Sequence, residues 1–334
     1  MHRRQVLAIA GGSIAMFSLS GCLNDDSTDD SENGTDDSEN GTSEDDSDAL
    51  IESADEALDE ASDEFGAALD EADDPLADRS HAIETDPIEA RIDGAEDDLT
   101  AARDGATDDQ LETIEALEGV AEFLRDFVAV FSALGEAMDE LEAWEQYVDQ
   151  GRWDDAIAVA ERAESYSDDA LDSMTVARAT FDDIDTAALE DVDEIDRVEL
   201  ENDLEEIEEI LDVLDVFFTG SRQMTEAMIP FEEALEAFEQ ERFSAAASSF
   251  SSSADRFDVA YHTFSEAEDD APSEFRSDLI DLSCEMDALG DAADYYSTGA
   301  DLYAAGDYST GDEYFEDGEA AAERCERDDI ALSL

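Results

Sequence analysis

Apart from carboxylates, the chain has few side chains able to act as nucleophiles, general bases or metal ligands. The thiols are Cys22, Cys284 and Cys325, and beyond residue 22 the only imidazoles are His81 and His262. The sequence contains no paired-histidine zinc motif, no nucleophile elbow and no glycine loop of the kind that binds phosphate. These residues therefore carry no recognised pattern of catalytic chemistry.

Each histidine has a glutamate within one helical turn, Glu84 after His81 and Glu266 after His262. With 99 acidic residues in the chain, a carboxylate near any histidine is expected by chance. The paired Glu-x-x-His motifs of di-iron bundles are absent, and no acidic stretch fits a calcium-binding loop. We therefore predict no metal, no cofactor and no enzymatic activity.

Residues 1–21 have the organisation of an export signal. Arg3 and Arg4 precede an apolar stretch that is too short to span a bilayer core of about 30 Å. The stretch leads into Leu-Ser-Gly-Cys, which ends at Cys22. The arginine pair resembles a twin-arginine export signal, with His2 where Ser or Thr is usual, and the tetrapeptide resembles a lipobox. The resemblance implies a lipid on Cys22 that holds the protein on the extracellular face of the cell membrane.

The charge of the chain is extreme. The 99 acidic residues face 16 basic ones, all arginine, for a formal net charge of -83, yet 42% of residues are hydrophobic. At about 1 M salt the Debye length falls to about 3 Å, so such a surface is tolerated there. An acidic surface without lysine resembles those of haloarchaeal proteins. Scattered arginines cannot form the basic footprint that nucleic acid requires, so we expect no nucleic-acid partner.

Residues 22–48 are predicted to be a lipidated, acidic, disordered tether. They contain almost no apolar side chain and include a tandem repeat of Asp-Asp-Ser-Glu-Asn-Gly-Thr, which cannot bury enough surface to order itself. Each repeat carries an Asn-Gly-Thr triplet, at Asn33 and at Asn40. In an exported chain these are candidate N-glycosylation sites, although the same triplet also serves as flexible polar filler.

Beyond the tether, apolar residues recur every three or four positions, the period of amphipathic helices, and no run of period two appears. We predict an N-terminal helical hairpin over residues 49–105. Residues 107–330 are predicted to form a bundle of long helices that includes three helical hairpins. The expected fold class is all-α, an elongated bundle of antiparallel helices.

A weak internal repeat marks the three hairpins. In each copy a long helix stops, turns near Gly151, Glu241 or Gly306, and resumes two residues later with an aromatic side chain. Small residues follow and would let the second helix pack closely. The spacing resembles the turn and second helix of tetratricopeptide repeats, but the copies lie 90 and 65 residues apart instead of about 34. The alternative is that the likeness reflects hairpin geometry alone.

Cys284 and Cys325 are a candidate disulfide. They lie 22 residues before and 19 residues after Gly306, so an antiparallel hairpin would bring them to nearly equal height. Disulfides persist outside the cytoplasm. The alternative is a pair of free buried thiols that act as small hydrophobic side chains.

Two further features are candidate interaction surfaces. Residues 243–254 contain no charge in a chain that is 34% charged, which fits either a central helix of the bundle or a groove for a partner segment. The second feature is a group of tyrosines near the C-terminus, whose rings suit either a binding face or the packing of the last hairpin. They are Tyr295, Tyr296, Tyr303, Tyr308 and Tyr314.

The function expected from these features is a membrane-anchored extracellular lipoprotein that acts as a non-enzymatic helical scaffold or protein-interaction module. Its partners would be the membrane, through the lipid, and another protein. The alternative is a solute- or cation-binding receptor lipoprotein of a transport system. A receptor needs an enclosed pocket with convergent polar groups, whereas a scaffold needs an open groove or an exposed apolar patch. The sequence sets no oligomeric state.

Overall fold

The computed structural model describes residues 44–71, 85–184 and 197–325. Over these ranges the chain forms eight α-helices and no β-strand, which confirms the all-α class and the packing of helices in pairs. The helices are α1 Glu44–Glu71, α2 Thr85–Ala102, α3 Asp108–Asp149, α4 Trp153–Asp183, α5 Arg197–Glu239, α6 Phe243–Ala267, α7 Ser273–Ala305 and α8 Tyr308–Ala322, with a final 3-10 turn at Glu323–Cys325. None of the described helices combines the length and apolar character needed to cross a membrane.

The predicted sites of the N-terminal segment lie outside the described residues, as does one of the two histidines. They are the export arginines, the lipid-bearing cysteine, the glycosylation acceptors and the first histidine: Arg3, Arg4, Cys22, Asn33, Asn40 and His81. These assignments stay predictions.

Helix α1 begins inside the region predicted to be tether. Ser47 is fully buried, and its hydroxyl donates a hydrogen bond to the carbonyl oxygen of Ala102, 3.0 Å away. The next residue, Asp48, accepts a hydrogen bond from the side chain of Gln110. The prediction of a tether that continues to residue 48 is therefore wrong at its C-terminal end. Helix α1 already includes these residues, because the last carbonyl group of α2 accepts the hydrogen bond of the buried Ser47 hydroxyl.

The described helices divide into two compact units. The N-terminal unit contains α1 and α2 together with residues 108–132, 172–184 and 197–206. The C-terminal unit contains residues 133–171 and 207–325. Each unit has its own core.

The core of the N-terminal unit is rich in phenylalanine. The ring of Phe65 in α1 meets Phe127 and Phe131 of α3 edge to face, at centroid distances of 5.7 and 5.3 Å. Such edge-to-face contacts add to the stabilisation that comes from burying the rings. Around this core, arginines pair with carboxylates of a neighbouring helix, as in the ion pair of 2.7 Å between Arg91 of α2 and Glu64 of α1.

In the C-terminal unit, α7 packs against both α6 and α8. A polar contact inside this unit joins the long helices: the indole nitrogen of Trp144 donates to the hydroxyl of Thr225, 2.9 Å away, and that hydroxyl donates to the carbonyl oxygen of Ser221. Trp144 and Thr225 are both buried. These two hydrogen bonds therefore satisfy polar groups that would otherwise destabilise the core. They fix the register of α3 against α5.

Candidate functional site: the aromatic hairpin ends of the C-terminal unit

The three turns indicated by the sequence repeat have the same backbone hydrogen bonds. In the first turn, the amide of Gly151 donates to the carbonyl oxygen of Val148 and the amide of Arg152 donates to that of Tyr147, both at 2.9 Å. This pair of bonds is a Schellman motif, which satisfies the last carbonyl groups of a helix and requires a left-handed residue just after it. Gly151 supplies that residue, with φ of 65°.

The second and third turns repeat this pattern. The left-handed residues are Glu241, with φ of 56°, and Gly306, with φ of 82°. The amides of Arg242 and Asp307 donate to the carbonyl groups of Ala237 and Leu302, at 2.8 and 2.9 Å. The repeat is therefore present in the backbone at all three positions, and the relationship to tetratricopeptide repeats stays a prediction.

An aromatic residue starts the helix after each turn, and a small residue is buried one turn later. The aromatic residues are Trp153, Phe243 and Tyr308. The small residues are Ala156, Ala246 and Gly311, and all three are buried. The small side chains bring the second helix of each hairpin close to its neighbours, as the sequence predicts.

The contact between α7 and α8 is closest where aromatic rings lie on glycines. A Cβ atom added to Gly311 would lie 2.5 Å from the ring of Tyr303, and one added to Gly318 would lie 2.5 Å from the ring of Tyr296. In a third contact the ring belongs to α8 and the glycine to α7: Phe315 lies against Gly299, where an added Cβ atom would be 2.9 Å from the ring. Three rings thus interlock with three glycines, which holds α8 tightly on α7.

Two of the five candidate tyrosines belong mainly to the core. The ring of Tyr296 stacks on Phe315 at a centroid distance of 5.3 Å and also meets Phe250, and Tyr303 contacts Phe238 at 5.1 Å. Burial raises the pKa of the Tyr296 phenol. The hydrogen bond that the Tyr303 hydroxyl donates to the carboxylate of Asp312 raises the pKa of Tyr303.

The other three tyrosines remain at the surface or close to it. Tyr295 is 38% exposed and pairs with Tyr314 at a centroid distance of 6.2 Å. Tyr308 is 55% exposed and meets the ring of Tyr303 nearly at right angles, with centroids 5.2 Å apart. The predicted tyrosine face is thus divided into three partly buried rings, Tyr296, Tyr303 and Tyr314, and two exposed rings, Tyr295 and Tyr308.

A continuous row of rings, which we call the aromatic ladder, connects the exposed Tyr308 with partly buried phenylalanines beside the core. From Tyr308 it passes through Tyr303 to Phe243 and Phe238, with successive centroids 5.1 to 5.2 Å apart. Phe238 and Phe243 also contact each other at 5.2 Å. The sequence analysis did not predict the contacts of these two phenylalanines with Tyr303. Their positions on either side of the turn at Glu241 could have indicated that both rings lie at the same end of the hairpin.

Cys284 and Cys325 form a disulfide, with Cα atoms 5.9 Å apart, as the spacing predicts. The alternative of two free thiols does not describe this structure. Next to the bond, the guanidinium of Arg324 pairs with the carboxylates of Asp287 and Asp291, each at 2.7 Å. The end of α8 is therefore joined to α7 by one covalent and two ionic contacts.

The uncharged segment 243–254 has one buried and one exposed side. On the buried side, Ser253 donates to the carbonyl oxygen of Ala227 in α5, and Ser297 of α7 donates to that of Ala247, at 2.8 and 2.9 Å. The exposed side carries serines at positions 244, 248 and 251. Close neighbours on two helices thus explain the small residues of the buried side.

The described histidine, His262, and the partly buried carboxylate of Asp215 have different charged neighbours. The imidazole of His262 is exposed, and its Nε2 atom lies 3.7 Å from a carboxylate oxygen of Asp258. Burial raises the pKa of Asp215, and the nearby charges of Asp168 and Glu164 raise it further. Among the described residues, no group of three histidine, cysteine or acidic side chains is placed to hold a metal ion.

Comparisons of the chain with protein-family models, with curated proteins and with solved structures gave no match.

Proposed function

We propose that the protein is a lipoprotein anchored on the extracellular face of the cell membrane, where its helices act as a scaffold for protein partners without catalysing a reaction. The anchor is supported by Arg3, Arg4 and the Leu-Ser-Gly-Cys sequence that ends at Cys22. The Cys284–Cys325 disulfide supports export, because disulfides persist outside the cytoplasm.

The observation that carries the interaction role is the exposure of Tyr308 at the end of the aromatic ladder. Tyrosine is enriched at protein interfaces because it offers a large contact area while losing little conformational entropy. Tyr308 is more than half exposed, yet its ring is held against Tyr303. A ring that is already fixed in place loses less entropy on binding than a mobile one, so it suits recognition.

The surface charge supports the same role. A chain with a net charge of -83 and no lysine fits a medium of high salt, where long-range attraction between proteins is screened. Under those conditions burial of apolar and aromatic surface carries more of the binding free energy than ion pairs do. The exposed rings of Tyr308 and Tyr295 are therefore the preferred contact points.

Site-specific photo-crosslinking on intact cells tests this function. A photoreactive phenylalanine analogue is placed at position 308 of the full-length lipoprotein, and at position 262 as a control, because His262 is also exposed but lies away from the ladder. We expect a crosslinked product of defined mass from position 308 and none from position 262. The absence of any protein adduct at position 308 and, in a further variant, at position 295 would contradict the interaction role.

A further inference from the structure

The turn between α7 and α8 presents an open aromatic ring beside two carboxylates. The carboxylate of Asp307, which directly precedes Tyr308, accepts hydrogen bonds from the amide and the hydroxyl of Thr310, at 3.4 and 3.0 Å. That of Asp312 accepts from the hydroxyl of Tyr303. Both aspartates are exposed. The exposed ring of Tyr308 thus lies in a strongly negative environment.

Among the described arginines, none forms an ion pair with Asp307 or Asp312 at this turn. Arginines elsewhere pair with carboxylates, as Arg324 does with Asp287 and Asp291. The described contacts of Asp307 and Asp312 are the hydroxyl and amide groups of the turn, with no guanidinium among them. A negative aromatic surface without its own cation is complementary to a positively charged ligand.

The first turn shows how a cation fits this kind of hairpin end. Arg152, which occupies the position equivalent to Asp307, lies with its guanidinium carbon 4.3 Å from the centre of the Tyr147 ring. The same guanidinium pairs with Asp155 at 2.6 Å. A guanidinium is thus held at a Schellman turn by a ring and a carboxylate together, between the end of one helix and the start of the next.

The third turn keeps a ring and carboxylates but replaces the arginine by an aspartate. Its ring belongs to Tyr308, after the turn, whereas the ring beneath Arg152 belongs to Tyr147, before it. The two surfaces are therefore similar in chemistry rather than superimposable. The first turn carries a guanidinium directly after its left-handed glycine, whereas the third turn carries the carboxylate of Asp307 at that position.

We propose that the α7–α8 turn is a docking site for an arginine side chain on a partner protein. The guanidinium lies on the open face of Tyr308 and pairs with the carboxylates of Asp307 and Asp312. Arginine fits this surface better than lysine, because a planar guanidinium stacks on a ring and still donates hydrogen bonds in its own plane. The proposal rests on the interaction function proposed above and names the chemistry of the partner.

The test uses the full-length lipoprotein in detergent micelles, with 13C-labelled tyrosine rings, at about 1 M salt, where long-range attraction is screened and only charges in direct contact still attract each other. The probes are acetyl-arginine amide, acetyl-lysine amide and the neutral isostere acetyl-citrulline amide. The Tyr308→Phe variant assigns the Tyr308 resonance. We expect a saturable shift of that resonance with the arginine probe, and an affinity for the citrulline probe that is weaker by about five- to tenfold.

Tyr295 is the internal control, because it is an exposed ring of the same hairpin that pairs with Tyr314. The double variant Asp307→Asn, Asp312→Asn should weaken arginine binding, since Asn at position 307 still caps α8. Equal responses to arginine and citrulline, or equal shifts of Tyr295 and Tyr308, would overturn the docking site. If crosslinking from position 308 persists in that case, the interaction function stands and only the arginine assignment fails.

Discussion

The ring of Tyr303 lies on Gly311 so closely that a Cβ atom at Gly311 would be 2.5 Å from a ring carbon and 3.1 Å from the carbonyl oxygen of Gly299. The same hairpin places the ring of Tyr296 on Gly318. Glycine is needed at these positions because backbone and rings on the facing helix occupy the space of any side chain. The stability of the α7–α8 hairpin therefore depends on the absence of two methyl groups.

Gly311→Ala should destabilise the C-terminal unit by about 1 to 3 kcal/mol, the usual effect of overpacking a closely packed contact. Gly135→Ala is the matched control, because Gly135 lies within α3 and has no atom within 4 Å of an added Cβ. That control should be neutral or stabilising by up to about 1 kcal/mol, since alanine favours helix. Denaturant unfolding at fixed salt measures both, and equal effects of the two variants would contradict the ring-on-glycine contact.

Glu241→Gly should stabilise the protein by about 1 kcal/mol, because a side chain disfavours the left-handed conformation that Glu241 adopts at φ of 56°. The equivalent residues of the other two turns are already glycine. Glu233→Gly, at an exposed position in the interior of α5, should destabilise instead. Thermal unfolding distinguishes these outcomes, and a loss of stability on Glu241→Gly would argue against the shared turn geometry.

Removal of the disulfide by the double substitution Cys284→Ser, Cys325→Ser should lower the free energy of unfolding by about 2 to 4 kcal/mol. The ion pairs of Arg324 are solvent-exposed and should compensate little. Reduction of the unmodified protein with a dithiol is the control for the substitutions themselves. A melting temperature that reduction leaves unchanged would show that the bond does not stabilise α8.

Asp215→Asn should raise the melting temperature at neutral pH. Burial, together with Asp168 and Glu164, raises the pKa of Asp215 in the folded protein, so the ionised carboxylate destabilises the fold above that pKa. The effect declines as the pH falls through the folded pKa and is lost below the unfolded one, where both states are protonated. Asp169→Asn, at an exposed position of α4, is the control for a general reduction of charge. A similar gain in both variants would contradict the role of burial.

The backbone features that follow from local sequence were predictable. The sequence located the three turns because each has an aromatic side chain two residues after its left-handed residue. That residue is glycine in two turns and Glu241 in the other. The height of Cys284 and Cys325 in their hairpin also follows from counting along two helices. Helix periodicity likewise gave the fold class, since one amphipathic stripe follows another along the whole body.

The directions of the tyrosines were not predictable from the sequence. Tyr295 and Tyr296 are neighbours, so they lie on different sides of α7, and only the contact of Tyr296 with Gly318 shows which of them faces the interior. The start of α1 was missed for a similar reason. By composition, Ser47 resembles the polar residues of the tether. Its order depends on a hydrogen bond to the carbonyl oxygen of Ala102, which is far away in sequence and could not be predicted.

The lipid anchor is the central claim, and partition of the Cys22→Ser variant between aqueous and detergent phases tests it most directly. The unmodified protein should enter the detergent phase, because a lipid contributes about 0.8 kcal/mol for each buried methylene group. The account predicts that the Cys22→Ser variant leaves the detergent phase and either appears in the medium or retains its signal peptide. A processed variant that still enters the detergent phase would contradict it.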